Sequence, residues 1–198
     1  AVVLAGAAEP VTFFGWQGYP SRLLNDSQNV IQISTNSISA SLALERLADA
    51  LDAPATVDLS NAWFAGIDKP QIPEGELTAE KAGIILALLQ PENAIIVNES
   101  ITSGAAYLPL AVTAPPHTMM ALPGGSIGYG MPCAVGDAIA CPDRPVINFQ
   151  ADGAAMYTLQ ALWMQARESL NITTTICCNR RYNILKIEFP RAENETPG

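Results

Sequence analysis

Short apolar runs alternate along this chain with longer stretches of helical spacing. Residues 2–4, 11–14 and 30–33 are rich in β-branched and aromatic side chains and predict strands. Residues 39–51 predict an amphipathic helix, with Leu42, Leu44, Leu47 and Leu51 at mixed three- and four-residue spacing. From 52 to 76 the periodicity fades. Pro54, Gly66, Pro70, Pro73 and Gly75 mark a linker, with one short strand expected at 55–59.

A second α/β pattern starts at Thr78, a side chain suited to capping a helix, with Glu80 in the first turn and an apolar run over 82–89. Strands are expected at 94–97, 146–149 and 172–178, and helices at 129–140 and 157–169, the first entered through a glycine-rich turn. Apolar strands joined by helices imply a parallel sheet flanked by helices on both faces, an α/β fold. The expected division is therefore 1–52 as the tail of one α/β domain, 53–77 as a linker and 78–198 as the next domain. The chain starts without Met, which fits a fragment or a processed product.

Composition narrows the function classes. Hydrophobic residues make up 49% and charged residues 15%, enough apolar material for a core and too much for disorder. The net charge is −9, and no basic cluster exists beyond Arg180-Arg181, which argues against a nucleic-acid partner. The apolar run at 84–89 is far too short to cross a bilayer, and residues 1–8 lack the basic start of a signal peptide. The four cysteines form no Cys-x-x-Cys pair, and His117 is the single histidine. Free thiols are expected rather than a zinc site, and with them a reducing compartment, most simply the cytoplasm.

Two strand ends carry the candidate chemistry. The strand at 146–149 runs into Asp152-Gly153, and the strand at 172–178 runs into Asn179. A single crossover helix between them makes the strands parallel, so both residues should leave the same edge of the sheet, where open α/β sheets bind ligands. A carboxylate, an amide oxygen and nearby carbonyls form a hard-oxygen set suited to Mg²⁺. A helix starting near Ala155 would aim its N–H groups at a phosphate there, and Gly153 would let the backbone come close. The bland alternative is that Asp-Gly and Asn are ordinary turn formers.

The run Gln150-Ala151-Asp152-Gly153 through Cys177-Cys178-Asn179 resembles the thiamin-diphosphate (ThDP) motif, which opens Gly-Asp-Gly and closes Asn-Asn. Residues 98–103 (Asn-Glu-Ser-Ile-Thr-Ser), 124–132 (Gly-Gly-Ser-Ile-Gly-Tyr-Gly-Met-Pro) and 155–163 extend the likeness to the acetolactate synthase and benzoylformate decarboxylase branch of that family. The glycine run itself reads G-G-x-x-G-x-G, not the dinucleotide fingerprint G-x-G-x-x-G. The resemblance is strong over 78–189. It is weaker over 1–52, which look like the end of the family's middle domain, whereas 78–198 look like its ThDP- and Mg²⁺-binding domain.

Roles follow from the resemblance. Asp152 and Asn179 match side-chain Mg²⁺ ligands, and Arg181 matches a ligand through its backbone carbonyl. Ile101, Thr102, Gly153, Ala154 and Ile184 match positions around the diphosphate, with Tyr182 beside them. Gly125 matches the carbonyl that receives the aminopyrimidine amino group. Ile127, next to Ser126, matches the stiff apolar wedge that holds the cofactor bent.

Four departures accompany the match, one being Arg181 in place of a frequent Gly, which leaves its carbonyl able to act as a ligand. Ala151 stands for the first Gly and would cost about 1 kcal/mol if that position needed a positive φ. Cys178 stands for the first Asn, and Ala154 stands where a hydroxyl is common. The implied activity is decarboxylation of a 2-oxo acid with release or transfer of the acyl carbanion. The activating Glu is expected on a separate pyrimidine-binding domain of the same or a neighbouring subunit, in a homodimer or homotetramer. Whether FAD also binds is left open. The other reading is a non-catalytic scaffold or interaction subunit of the same fold.

Overall fold

The computed structural model describes residues 1–12, 15, 18–35, 37–56 and 68–191. The chain divides into two compact units, Ala1–Ala65 with Phe189–Gly198, and Gly66–Glu188.

In the first unit, strands β1 (Val2–Leu4) and β2 (Val30–Gln32) pair in parallel, with Val2 opposite Val30. Helix α1 (Ala40–Ala50) follows, and the Ser39 hydroxyl accepts the Leu42 N–H at its start. Of the strand expected at 11–14, Val11 makes an isolated antiparallel bridge to Arg22, and Phe13 and Phe14 lie outside the described residues. Most of the strand expected at 55–59 also lies outside them.

The second unit holds a four-stranded parallel sheet. Its strands are β3 (Ile95–Glu99), β4 (Thr118–Ala121), β5 (Val146–Ala151) and β6 (Ile172–Cys177), in the order β4-β3-β5-β6. Helices α2 (Ala79–Leu89) and α3 (Tyr107–Leu110) accompany β3 and β4, and α4 (Gly130–Ala140) connects β4 to β5. The connection from β5 to β6 contains α5 (Asp152–Ala155) and α6 (Ala161–Arg167), and α7 (Asn183–Arg191) follows β6.

The alternation of β3 distributes its side chains to two faces. Ile96 joins Ala87, Ala94, Tyr107 and Phe149 on the α2 side. Ile95 and Val97 join Ala134, Ala138 and Val146 on the α4 side. Both layers are needed because a central parallel strand buries both faces. The Tyr107 and Phe149 rings meet edge to face at 6.3 Å and 75°. At the amino ends of the strands, Arg144 donates to the carbonyls of Asn93 and Ala94 and to the Thr118 hydroxyl, fixing β3 against β4.

Thr78 caps α2 as the sequence predicts, its Oγ1 accepting the Lys81 N–H at 3.2 Å. Two expectations need correction. The helix expected over 157–169 is the shorter α6, and the one expected near Ala155 is the single turn α5. Between them the Thr158 hydroxyl donates to the Gly128 carbonyl at 2.8 Å, and the Tyr157 and Thr158 N–H groups bond three residues back. That long-range bond holds 156–160 out of helical register. Strand β4, just after the loop carrying His117, has no counterpart among the expected strands.

Candidate functional site

The register of the sheet builds the site. Ala151 at the end of β5 pairs with Cys177 at the end of β6, so Asp152 and Cys178-Asn179 leave the sheet side by side at its carboxyl edge. The Asp152 carboxylate bridges the two strand ends. Its Oδ1 accepts the Gly153 N–H at 2.9 Å, and its Oδ2 accepts the Arg180 N–H at 2.8 Å. That second bond holds Arg180 at φ 56°, a left-handed conformation that a non-glycine residue rarely adopts. Asn179 Oδ1 accepts the Arg181 N–H at 2.8 Å.

A cavity of about 70 Å³ opens over this edge. Asp152, Asn179 and Arg181, singled out as metal ligands, all line it. So do Ile101 and Thr102 from the loop after β3, and Gly153 and Ala154 from α5. Tyr182 and Ile184 close it from the start of α7, and Ile127 reaches it from the glycine-rich turn. Gly125 and Ser126 do not line it. They sit just before Ile127, where the Gly125 carbonyl accepts the Ile127 N–H at 2.9 Å.

Ile101 adopts φ 52°. A β-branched residue pays a steric penalty there, and such strain collects at functional sites. Ile127 is 38% exposed, so it is a rim residue and not part of the core. Ser100, Ser103 and Asn183 also line the cavity and were not singled out from the sequence, and Ala151, noted there only as a departure from the motif, joins them. The signal for the two serines was present in the run 98–103. Ser100 donates to Asn98 Oδ1 at 2.6 Å, which folds that loop over the strand end.

Glu99 also escaped the sequence reading. It ends β3, is 1% exposed, and accepts the N–H groups of Gly128 and Gly130 at 2.5 and 2.6 Å. Cys177 sits beneath the site. Burial pushes its thiol up, a Ser103 hydrogen bond opposes this, and the Asp152 charge adds to it.

The donor chemistry can be tested against a metal. Each Asp152 oxygen and the Asn179 oxygen accepts one N–H and keeps a further lone pair. One carboxylate, one amide oxygen and a backbone carbonyl suit Mg²⁺, which fills the rest of its shell with water and ligand phosphates. No group of three His, Cys, Asp or Glu assembles among the described residues. Gly153 lets the Tyr182 ring lie close against the backbone: a Cβ there would come within 2.8 Å of that ring.

Residues 101–197 match the family model described as thiamine pyrophosphate enzyme, C-terminal TPP binding domain. The chain belongs to the thiamine-pyrophosphate enzymes. It is 46% identical over 190 residues to the Mycobacterium tuberculosis protein named "Putative acetolactate synthase large subunit IlvX", which covers 96% of this chain and 36% of that relative. It is 32% identical over 130 residues to the benzoylformate decarboxylase of Pseudomonas aeruginosa, covering 63% of this chain and 25% of that enzyme. A solved thiamine diphosphate-dependent 4-hydroxybenzoylformate decarboxylase of Rhodococcus jostii shares the fold. Its TM-score is 0.71 over 99% of this chain and 39% of that one, at 22% identity. The chain thus spans between a quarter and about a third of the length of these curated relatives.

Against the family motif, the substitution at 151 carries no strain. Ala151 has φ −85° and ψ 146°, ordinary extended backbone that any residue adopts. Ala154 is buried and brings no hydroxyl, and the Cys178 thiol is exposed. The helix N-terminus expected at the phosphate position is only the four-residue α5, so the local N–H groups act there without a long helix dipole behind them.

Proposed function

We propose that this chain is the diphosphate- and metal-binding part of a ThDP- and Mg²⁺-dependent enzyme of the acetolactate synthase type, acting on a 2-oxo acid. One observation carries the reading: Asp152 and Asn179 emerge from adjacent parallel strand ends into a cavity shared with Ile101, Gly153 and Ile127. The high identity to a relative named as an acetolactate synthase large subunit supports the same reaction class.

When bound, ThDP supplies the carbon nucleophile and the electron sink that decarboxylation of a 2-oxo acid requires. Asp152, Asn179 and the Arg181 carbonyl would hold Mg²⁺, and the metal and the Ala154 N–H would hold the diphosphate, the Gly153 N–H being taken by Asp152. Ile127 would pack against the cofactor's rings, and the Gly125 carbonyl would accept a hydrogen bond from its amino group. No proton-transfer residue for the reaction is proposed among these residues. That role belongs to the Glu of a pyrimidine-binding domain in the same polypeptide or in a neighbouring subunit of a homodimer or homotetramer. The free thiols and the lack of any described helix long and apolar enough to cross a membrane favour a cytoplasmic enzyme. The scaffold reading is weakened because the Ala151 substitution is conformationally neutral.

The test is a calorimetric titration of the full-length protein with ThDP. Binding is expected with Mg²⁺ and is expected to vanish in EDTA. Asp152→Ala should lower affinity at least 100-fold, since it removes the one carboxylate lining the cavity. Unchanged affinity in that variant would remove the metal assignment.

A further inference from the structure

Glu99 occupies a position that nothing in the cofactor reading requires. It is the last residue of β3, 1% exposed, and its carboxylate accepts three donors. Oε1 takes the Gly128 N–H. Oε2 takes the Gly130 N–H and the Gln150 Nε2–H, the latter at 2.8 Å. Gln150 is fully buried, pairs with Glu99 in register across β3 and β5, and lies two residues before Asp152. One side chain therefore joins the turn that carries Ile127 to the strand that delivers Asp152.

The turn has little freedom to absorb a change. Gly128 sits at φ 92°, its N–H held by Glu99 and its carbonyl by Thr158. A Cβ on Gly128 would fall 2.6 Å from Tyr157 Cβ, and one on Gly130 would fall 2.4 Å from Gln150 Oε1. Gly128 and Gly130 are both buried, so an N–H deprived of Glu99 has no water to turn to. The turn would have to move, and Ile127 with it.

We infer that Glu99 is a positioning residue: it sets the placement of Ile127 and the Gly125 carbonyl relative to Asp152, and so fixes the spacing between the ring end and the diphosphate end of the site. This rests on the ThDP reading above. The effect of Glu99 falls mainly on the ring end, because the Gly128 and Gly130 N–H groups depend on its carboxylate, whereas Asp152 and Asn179 are also held by the paired strand ends.

Two ligands separate the ends. Inorganic pyrophosphate with Mg²⁺ probes the Asp152 end, and ThDP with Mg²⁺ probes both. In the native, full-length protein, Glu99→Gln puts an amide NH₂ among three donors. It should weaken ThDP binding at least tenfold while leaving pyrophosphate binding within twofold of the parent. Glu99→Asp keeps a buried carboxylate but shortens its reach. It should give a smaller loss of the same selectivity, and it carries the test if the Gln variant does not fold. Equal losses for both ligands would reduce Glu99 to a general structural role and overturn the inference, as would no loss for either. If the parent protein binds neither ligand, the cofactor reading itself fails, and the inference with it.

Discussion

At the scale of single residues, burial decides behaviour that the letters alone do not. Tyr107 has no exposed surface, and its hydroxyl donates to Gln90 Oε1 at 2.8 Å. Burial pushes the phenol up to about 12, partly opposed by the Gln90 bond. In the unfolded chain it ionises near 10. Between these values the folded state keeps a proton that the unfolded state has lost, so stability is full below pH 10 and falls as pH rises toward 12. Tyr107→Phe should cost about 1 kcal/mol at neutral pH through the lost hydrogen bond. It should also flatten the alkaline decline. Urea midpoints of parent and variant from pH 8 to 11.5 would show this, and parallel declines would refute it. Residue identity did expose Asp152 and Asn179 as site candidates, because their types match a chemical need, whereas Ile127 was singled out by the family resemblance of residues 124–132. It could not show that Ala151 is extended or that Ile101 is left-handed. Those are properties of the backbone path, which residue types alone do not encode.

At the scale of elements, legibility followed how local the cause was. Strands β3 and β5 each open on a short apolar run, Ile95-Ile96-Val97 and Val146-Ile147, and Thr78 caps α2 through a bond three residues away. These signals are contained in a short window of sequence. Strand β4 is four residues long and defined by pairing with β3, more than twenty positions earlier. The break before α6 depends on Thr158 reaching Gly128, thirty positions away. Neither cause is visible in a window. The same reasoning makes a prediction at Gly83. Replacing an interior helix glycine by Ala normally gains about 1 kcal/mol. Here a Cβ would come within 2.9 Å of the Tyr107 backbone nitrogen and 3.3 Å of the Ala106 carbonyl carbon, so α2 would be forced off α3. Overpacking against backbone costs about 1–3 kcal/mol and outweighs the propensity gain. Gly83→Ala should therefore lower the melting temperature, and a rise would show that the helices can part freely.

At the scale of the molecule, the carboxyl edge of one parallel sheet collects residues from four separate stretches of sequence into a single cavity. The order of those stretches was readable because each carries a short motif. Their convergence required the register of β3, β5 and β6. The chain covers only part of its relatives' length, and the reaction proposed above is assigned to the proposed full-length assembly. Native mass spectrometry of that assembly, purified from its own source and then opened to release small molecules, tests the cofactor proposal most directly. ThDP and a divalent metal, each at one per subunit, are the expected result. An assembly that carries neither, and that takes up neither after both are supplied in excess, would contradict it.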